Sequence, residues 1–544
     1  MNRLYYGDCL TIMQEMPLGS VDLIYLDPPF NSQRDYNGIY KTETGKPLPD
    51  QIDAFCDAWT IDTETERAIR HMPILMREAG FDDEVAEFWR IWLNALRKTN
   101  PKILAYLTYM TQRLLPMRGV LKPTGSIWLH CDDEAVHYIK VMMDGIFGHA
   151  NFRDEVVWQR AAGRAKGSQH EARTFGRDVD YILHYSRGRE YTHHGIKLKL
   201  SDEEMTEKFT HVDEHGRRYN TDVPIFRQPS MGARPNLCYT YKGVTNPHPS
   251  GWRVSRERLE KMDANGEIIW RGGKRPLRKS FAGNYAGKPL GNLWTDIPNV
   301  TGKGERMGYD TQKPVALLKR IISASSNLGD VVFDPFCGCA TTVEAAHRLG
   351  RRWIGVDIAI HAVKRVASVR LRDRLGLVEG VDFEIEGVPR NLEGARDLWE
   401  RDKYHFQKWA VEQVDGFVTT KKGSDGGIDG RLYFDLPGEH NLQSMVIEVK
   451  GGANVGIGVV RDLRGVLERE TAQIAGLIVM DDLGDRKTRN FAAEMARAGD
   501  LDVHGVQYAR IQMLTVQDIL DGARFKTPSV ARGKGLAEPK LPLG

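Results

Sequence analysis

The sequence predicts an α/β protein: a Rossmann-like open sheet, interrupted by an irregular insert and followed by a second, smaller α/β domain. Three observations predict it. Over residues 1–150, strand-like apolar runs (VDLIYLD, SIWLH) alternate with helical stretches such as DEVAEFWRIWLNALRK. The alternation weakens at 151–306, which is rich in Arg, Gly, Pro and aromatics, and returns at 307–387, where VVFD reads as a strand, TTVEAAHRLG as a helix and RRWIGVD as another strand. A polar connector, VPRNLEGARD, then leads into a further α/β pattern at 398–514. The tail at 525–544 is rich in Pro, Gly and Lys and is expected to be disordered.

Bulk composition narrows the class. The chain has 544 residues, 41% of them hydrophobic and 27% charged. No run of about 18 apolar residues occurs, so no membrane partner is expected. The N-terminus, MNRLYYGDCL, lacks the charged and apolar regions of a secretory signal, and a cytoplasmic protein is expected. The six cysteines are scattered, and only Cys337 and Cys339 lie close, at a spacing unsuited to a zinc knuckle. Reduced thiols are the simpler reading. A net charge of +3 does not argue for nucleic acid by itself, but between Arg153 and Arg306 Lys and Arg outnumber Asp and Glu by nine, enough for a local positive field.

Asp27-Pro28-Pro29-Phe30 follows the apolar run VDLIYL directly. Ligands of open parallel sheets gather at the carboxyl ends of strands. There, Asp27 and a main-chain carbonyl of a rigid Pro-Pro turn can hold the hydrogens of an exocyclic amine, and Phe30 offers a ring for an extruded base. Alone, the tetrapeptide reads more readily as a strand ending in a proline turn. A second motif shifts the balance. VVFDPFCGCATT (331–342) is a strand, an acidic tip, a Gly-containing turn and a helix start, and Asp357 ends the next strand 23 residues beyond Asp334. An acid at that distance commonly binds ribose hydroxyls. The turn lacks G-x-G-x-x-G, so it suits a nucleoside with a charged amino-acid tail better than a dinucleotide.

With these motifs in order, residues 1–387 resemble the DNA N6-adenine/N4-cytosine amino-methyltransferases in their permuted arrangement. The pattern is carried by Gly7-Asp8-Cys9, Asp27 to Asn31, Thr311-Gln312-Lys313-Pro314 and Asp334 to Thr342, and GSIWLHCDDEAVHYIKVMMDGIFG is similar to type III modification subunits. The resemblance implies S-adenosylmethionine as cofactor and double-stranded DNA as substrate. It implies that Asp27, Pro28, Pro29 and Phe30 form the catalytic site. Asp334, Pro335, Phe336, Gly338 and Thr341 would line the cofactor pocket, with Asp357 at the ribose, Asp8 at the adenine and Lys313 beside the methionine part. Asp as first residue of the motif favours adenine. The implied chemistry is direct methyl transfer to the amine, with positioning and the Asp27 carboxylate as the main contributions. One departure stands out: the second glycine of the cofactor turn is Ala340, which is strained if that backbone needs a positive φ. Cys9 and Cys131 read as packing residues.

In the insert, Arg160, Arg164, Lys166, Arg173 and Arg177 are interleaved with glycines, and RGGKRPLRKS follows at 271–280. Placed where this family keeps its target-recognition region, they suggest phosphate and base contacts. In the C-terminal domain, Asp429 is followed by Glu448 and Lys450, which fall on one side of an apolar strand. LPGEHN between them is a turn that would bring the acids together. Asp429, Glu448 and, from the preceding helix, Glu412 are candidate Mg²⁺ ligands, with Lys450 assisting a water. With the glycine-rich lead-in GSDGGIDG, this region resembles the Mrr-like restriction endonuclease domains.

The leading expectation is therefore a DNA adenine methyltransferase fused to a Mg²⁺-dependent endonuclease, acting in restriction–modification. Two alternatives stay open: methylation alone with a degenerate nuclease, and a nuclease guided by a catalytically silent recognition module. No G-x-x-x-x-G-K-[ST] loop occurs, so any ATP-driven motor would be a separate restriction subunit. The type III resemblance is compatible with a homodimer.

Overall fold

The computed structural model describes residues 1–29, 59, 61–160, 177–300, 305, 312–419, 428–434, 436, 443–452 and 455–528. Their contacts divide into two compact units, one of 1–194 with 292–544 and one of 195–291.

The first unit holds two sheets. The larger is built from β1 (Asn2–Tyr6), β2 (Val21–Leu26), β3 (Leu121–Cys131), β4 (Phe152–Gln159), β5 (Val179–Ser186), β6 (Leu293–Trp294), β7 (Val331–Asp334), β8 (Arg352–Asp357) and β9 (Phe383–Glu386), in the order β6-β4-β5-β3-β2-β7-β8-β1-β9. All neighbours are parallel except at β5, which runs antiparallel to β3 and β4. Central strands such as VDLIYL are buried on both faces, so they read as apolar runs without clean alternation.

Helices α1 (Cys9–Glu15), α2 (Thr63–Glu78), α3 (Asp83–Thr99), α4 (Pro101–Val120), α5 (Val315–Ser325), α6 (Thr341–Arg348) and α7 (Ile360–Arg365) accompany this sheet. α3 buries Ala86, Trp89, Leu93 and Leu96, the single stripe that its spacing predicts. α4 is buried nearly all round and starts cleanly because Asn100 accepts from Ile103 N at 3.2 Å while Pro101 occupies the first turn.

The second sheet has the order β10 (Phe417–Val418), β11 (Gly430–Phe434), β12 (Gln443–Lys450), β13 (Ile474–Val479), β14 (Ile511–Thr515). Its first two pairings are antiparallel and its last two parallel. It is preceded by α8 (Leu392–Arg401) and α9 (Lys403–Gln413) and carries α10 (Gly458–Arg469) and α11 (Asp485–Ala496).

Two boundaries differ from expectation. β4 and β5 extend the main sheet, so the compact second unit begins at Gly195 rather than near 151. In β4 a polar alternation hides the membership, because one face of this outer strand is only partly covered. Phe525, placed in the tail, is 6% exposed, because its ring lies on the backbone of Gly476 in β13. Residues 529–544 lie outside the described residues.

The second unit is a small mixed module around Ile225, Phe226, Trp252, Leu259 and Met262. Trp252 stacks on Tyr239 at 5.4 Å and donates its indole N–H to Tyr239 O at 2.7 Å. Arg271-Gly272-Gly273-Lys274 forms a hairpin tip with both glycines at positive φ, a two-residue turn that only such residues enter freely. Arg271, Lys274 and Arg275 are exposed there.

Candidate active sites

The order β2-β7-β8-β1 places four acids at the carboxyl ends of four adjacent strands: Asp27, Asp334, Asp357 and Asp8. Register makes the alignment explicit, with Asp334 opposite Gly355 and Tyr6 opposite Asp357.

At the β2 end, Asp27 Oδ2 meets Lys313 Nζ at 2.6 Å, and both side chains are largely buried. Asp27 Oδ1 is buried and has no hydrogen-bond partner among the described residues. An orphaned carboxylate oxygen costs free energy unless a donor arrives. Lys313 is fixed by its loop: Gln312 donates to Glu305 O at 2.8 Å, and Glu305 accepts from Val315 N at 2.7 Å at the start of α5. Lys313, expected beside the cofactor's methionine part, is set on Asp27 at this strand end. Pro28 is buried beside Asp27, and Phe30, Asn31 and Thr311 lie outside the described residues.

At the β7 and β8 ends, Asp334 accepts from Phe336 N at 3.1 Å, and Asp357 accepts from Ala359 N and Gly338 N, each at 2.8 Å. Burial, followed by neighbouring acids, pushes Asp334 up to about 7, and burial pushes Asp357 up to about 6. A carboxyl raised in the folded state contributes stability below its unfolded value that is lost as pH rises through its folded value. Stability of the free protein should therefore fall between about pH 4 and 7, and Asp334→Asn should flatten that fall; equal slopes in pH-dependent thermal melts would contradict it.

Gly338 has φ +51°, and a Cβ there would meet nothing closer than Phe336 O at 3.9 Å, so the turn leaves open space beside Asp334 and Asp357. Two raised acids beside an open turn fit a ligand that brings hydroxyl and ammonium donors, the groups of S-adenosylmethionine. Ala340 has φ 57° and ψ 38°, the left-handed conformation that alanine tolerates poorly, directly before Thr341 opens α6. Ala340→Gly should relieve this strain, raising stability by up to about 1 kcal/mol in thermal melts despite glycine's greater unfolded-state entropy. An unchanged or lower melting temperature would show that the turn is not strained.

Asp8 caps α1 through Leu10 N at 2.8 Å and pairs with Arg113 at 2.6 Å. Arg113 is a nearly buried cation on α4 whose guanidinium lies 3.5 Å from the Tyr109 ring centre. Tyr109 leads on to Phe336 at 6.4 Å and Trp59 at 4.9 Å, an aromatic wall beside the turn. Sequence reasoning missed Arg113, although a cation inside the apolar helix TQRLLPMRG was a signal. It also missed a buried relay behind Asp27, in which His130 stands 3.0 Å from Tyr25 and 3.0 Å from Asp180, and Arg160 stands 3.2 Å from Asp180. Arg177 pairs with Asp133 at 3.1 Å, whereas Arg164, Lys166 and Arg173 lie outside the described residues.

In the second sheet, Asp429, Glu448 and Lys450 come together as their spacing predicts. Asp429 accepts from Val449 N at 2.7 Å, tying its side chain to β12 between Glu448 and Lys450. Glu448 is 5% exposed, Lys450 Nζ is 2.6 Å from its Oε1, and its Oε2 has no hydrogen-bond partner among the described residues. Burial raises the Glu448 carboxyl despite Lys450. Two neighbouring carboxylates, one with an orphaned oxygen, fit a hard divalent cation. Glu412 does not join them, which corrects the expected ligand set. Its Oε2 accepts from Ile360 N at 3.2 Å, because the α9 face that carries it turns toward the first sheet. Among the described residues, no group of three or more His, Cys, Asp or Glu is placed to hold a metal ion.

Comparison with known proteins agrees with this division. Residues 21–368 match the DNA methylase family model and residues 396–510 the restriction endonuclease model. The type II methyltransferase M.EcaI of Enterobacter cloacae is 30% identical over 265 residues, 48% of this chain and 56% of that protein. The Mod subunit of the type III restriction-modification enzyme StyLTI of Salmonella typhimurium is 28% identical over 376 residues, 64% of this chain and 50% of that protein. The DNA adenine methyltransferase YhdJ of Escherichia coli K12 is 51% identical over 362 residues, 66% of this chain and 80% of that protein. The chain thus spans about half the length of the first two relatives. With the family model covering well over half of its length and the motif acids gathered at adjacent strand ends, the chain belongs to the DNA methylase family and carries a restriction endonuclease-type domain behind it.

Proposed function

We propose that this protein methylates the exocyclic amine of adenine in double-stranded DNA and cuts DNA through its C-terminal domain. The observation that carries the first half is the orphaned Asp27 Oδ1 at the strand end, next to an oxygen already held by Lys313. In this reading Asp27 Oδ1 accepts a hydrogen of the adenine amine and a main-chain carbonyl of the Pro28–Pro29 turn takes the other, which aims the nitrogen lone pair. S-adenosylmethionine, when bound, supplies an electrophilic methyl group. Asp334, Asp357 and the Gly338 turn orient it, and the Asp27 carboxylate balances the charge that grows on the amine. Adenine is preferred over cytosine because the motif begins with Asp and because YhdJ, an adenine methyltransferase, is a relative of this chain.

In the C-terminal domain, Asp429 and Glu448 would hold Mg²⁺ and Lys450 would orient the attacking water. Mg²⁺ supplies charge stabilisation at the phosphodiester. The exposed cations Arg271, Lys274 and Arg275 would contact phosphates; replacing all three with Ala should weaken DNA binding and lower its salt slope by roughly three.

The test is single-molecule sequencing of genomic DNA from a methylation-free bacterium that expresses the Asp429→Ala variant. N6-methyladenine at one short recurring motif is expected. N4-methylcytosine would overturn the base assignment, and folded protein that leaves no mark would overturn the enzyme.

A further inference from the structure

Helix α9 packs against elements of both sheets. One side is built into the C-terminal domain. Phe406 and Trp409 are fully buried, Phe406 meets Trp399 of α8 edge-on at 5.5 Å, and Val411 lies so close to Gly430 of β11 that a Cβ there would fall 2.4 Å from it. Trp399 in turn lies on Gly451, the residue after Lys450. The other side carries His405, Lys408 and Glu412, spaced i, i+3, i+7 and therefore on one face.

That face lies against the ends of β1 and β8. The His405 ring meets Tyr6 edge-on at 4.4 Å, and its Cε1 would be 3.8 Å from a Cβ on Gly7, the residue before Asp8. Glu412 accepts from Ile360 N at 3.2 Å, three residues past Asp357, and Gln413 accepts from Lys364 Nζ at 3.0 Å. Lys408 acts electrostatically on Asp357, and Asp8 on His405. His405 is 7% exposed, and its Nε2 has no hydrogen-bond partner among the described residues. Burial, then Lys408, lowers His405 to about 4, so the ring is neutral at pH 7 and Nε2 can serve an uncharged partner. A buried polar nitrogen left unpaired is costly, and a ligand with a complementary atom relieves that cost.

We propose that helix α9 of the C-terminal domain forms part of the methylase cofactor site: His405 Nε2 meets the adenosine end of S-adenosylmethionine beside Gly7-Asp8, and Glu412 is a positioning residue that fixes the Asp357–Ile360 loop. The proposal rests on the assignment of the cofactor to Asp334 and Asp357. Under it, the endonuclease-type domain is a structural component of the methylase, because α9 cannot leave without opening the pocket.

Isothermal titration of the full chain with S-adenosylmethionine and with S-adenosylhomocysteine tests it. His405→Ala should weaken both ligands roughly tenfold, and Glu412→Ala should do the same. Glu412→Gln keeps an oxygen acceptor for Ile360 N and should stay within about threefold of wild type, a rescue that loss of folding would not allow. The thermal stabilisation that the cofactor confers, measured against each variant's own cofactor-free melting temperature, should shrink in His405→Ala. If His405→Ala and Glu412→Ala, each with wild-type circular dichroism, bind within twofold of wild type, the proposal is wrong; should Glu412→Ala not fold, His405→Ala decides alone. Failure of the wild-type chain to bind either ligand would refute the cofactor assignment itself, and an Asp334→Ala variant that binds like wild type would refute the placement of the cofactor.

Discussion

Asp27→Ala should lower methyl transfer to DNA by at least about a thousandfold while leaving affinity for S-adenosylmethionine within a fewfold of wild type. The carboxylate lies at the β2 end, with one oxygen held by Lys313 and the other without a hydrogen-bond partner among the described residues. A group held in place before the substrate arrives needs no reorganisation during the reaction, and for that reason its removal acts on the rate more than on binding. Alanine also leaves the Lys313 ammonium, 9% exposed, without its carboxylate, a change that costs stability in its own right. Asp27→Asn, which keeps the volume and an acceptor oxygen, separates the two effects. It should restore the melting temperature more than the rate. The measurement is transfer of a labelled methyl group to a duplex carrying the recognition site. A rate within tenfold of wild type for folded Asp27→Ala would remove this residue from the reaction.

Glu448→Ala and Lys450→Ala should each abolish Mg²⁺-dependent DNA cleavage, a loss of at least about a thousandfold, with methylation unchanged. Glu448 combines 5% exposure with an orphaned oxygen, an arrangement that is unfavourable unless a cation or proton satisfies it. Lys450 is much the more exposed member of the pair, so its loss should perturb folding less. The Lys450 variant is therefore the cleaner probe of chemistry. Plasmid nicking across a Mg²⁺ series reads the effect; cleavage at full rate in both variants would mean that this cluster does not cut DNA. A thermal stabilisation by Mg²⁺ present in wild type and missing in Glu448→Ala would place the ion independently of turnover.

Several features were legible in the sequence because they depend on local pattern. Apolar runs ending in Asp27, Asp334 and Asp357 announced strand ends, and the period-two placement of Glu448 and Lys450 announced a shared face. Ala340 is instructive: a missing glycine in an otherwise glycine-bearing turn foretold a strained residue, and the backbone there is left-handed. The limits of the insert were not legible, since β5 owes its place to pairing with β3, and β4 to pairing with β5, partners that lie far away in the sequence or across residues 161–176.

What the sequence determined by itself was the two-domain α/β character, the family, and the acids at each strand end. Those follow from periodicity and from motifs a few residues long, which local chain geometry translates directly into position. What only the tertiary structure decided was which side chains meet across long separations. Lys313 meets Asp27 across 286 positions, Arg113 meets Asp8 across 105, and Glu412 reaches Ile360 across 52 instead of joining Asp429 and Glu448. Such pairings depend on strand order and on which helix face turns inward. Both are fixed by burial of the whole apolar surface, a property of the packed chain that no short window of sequence contains.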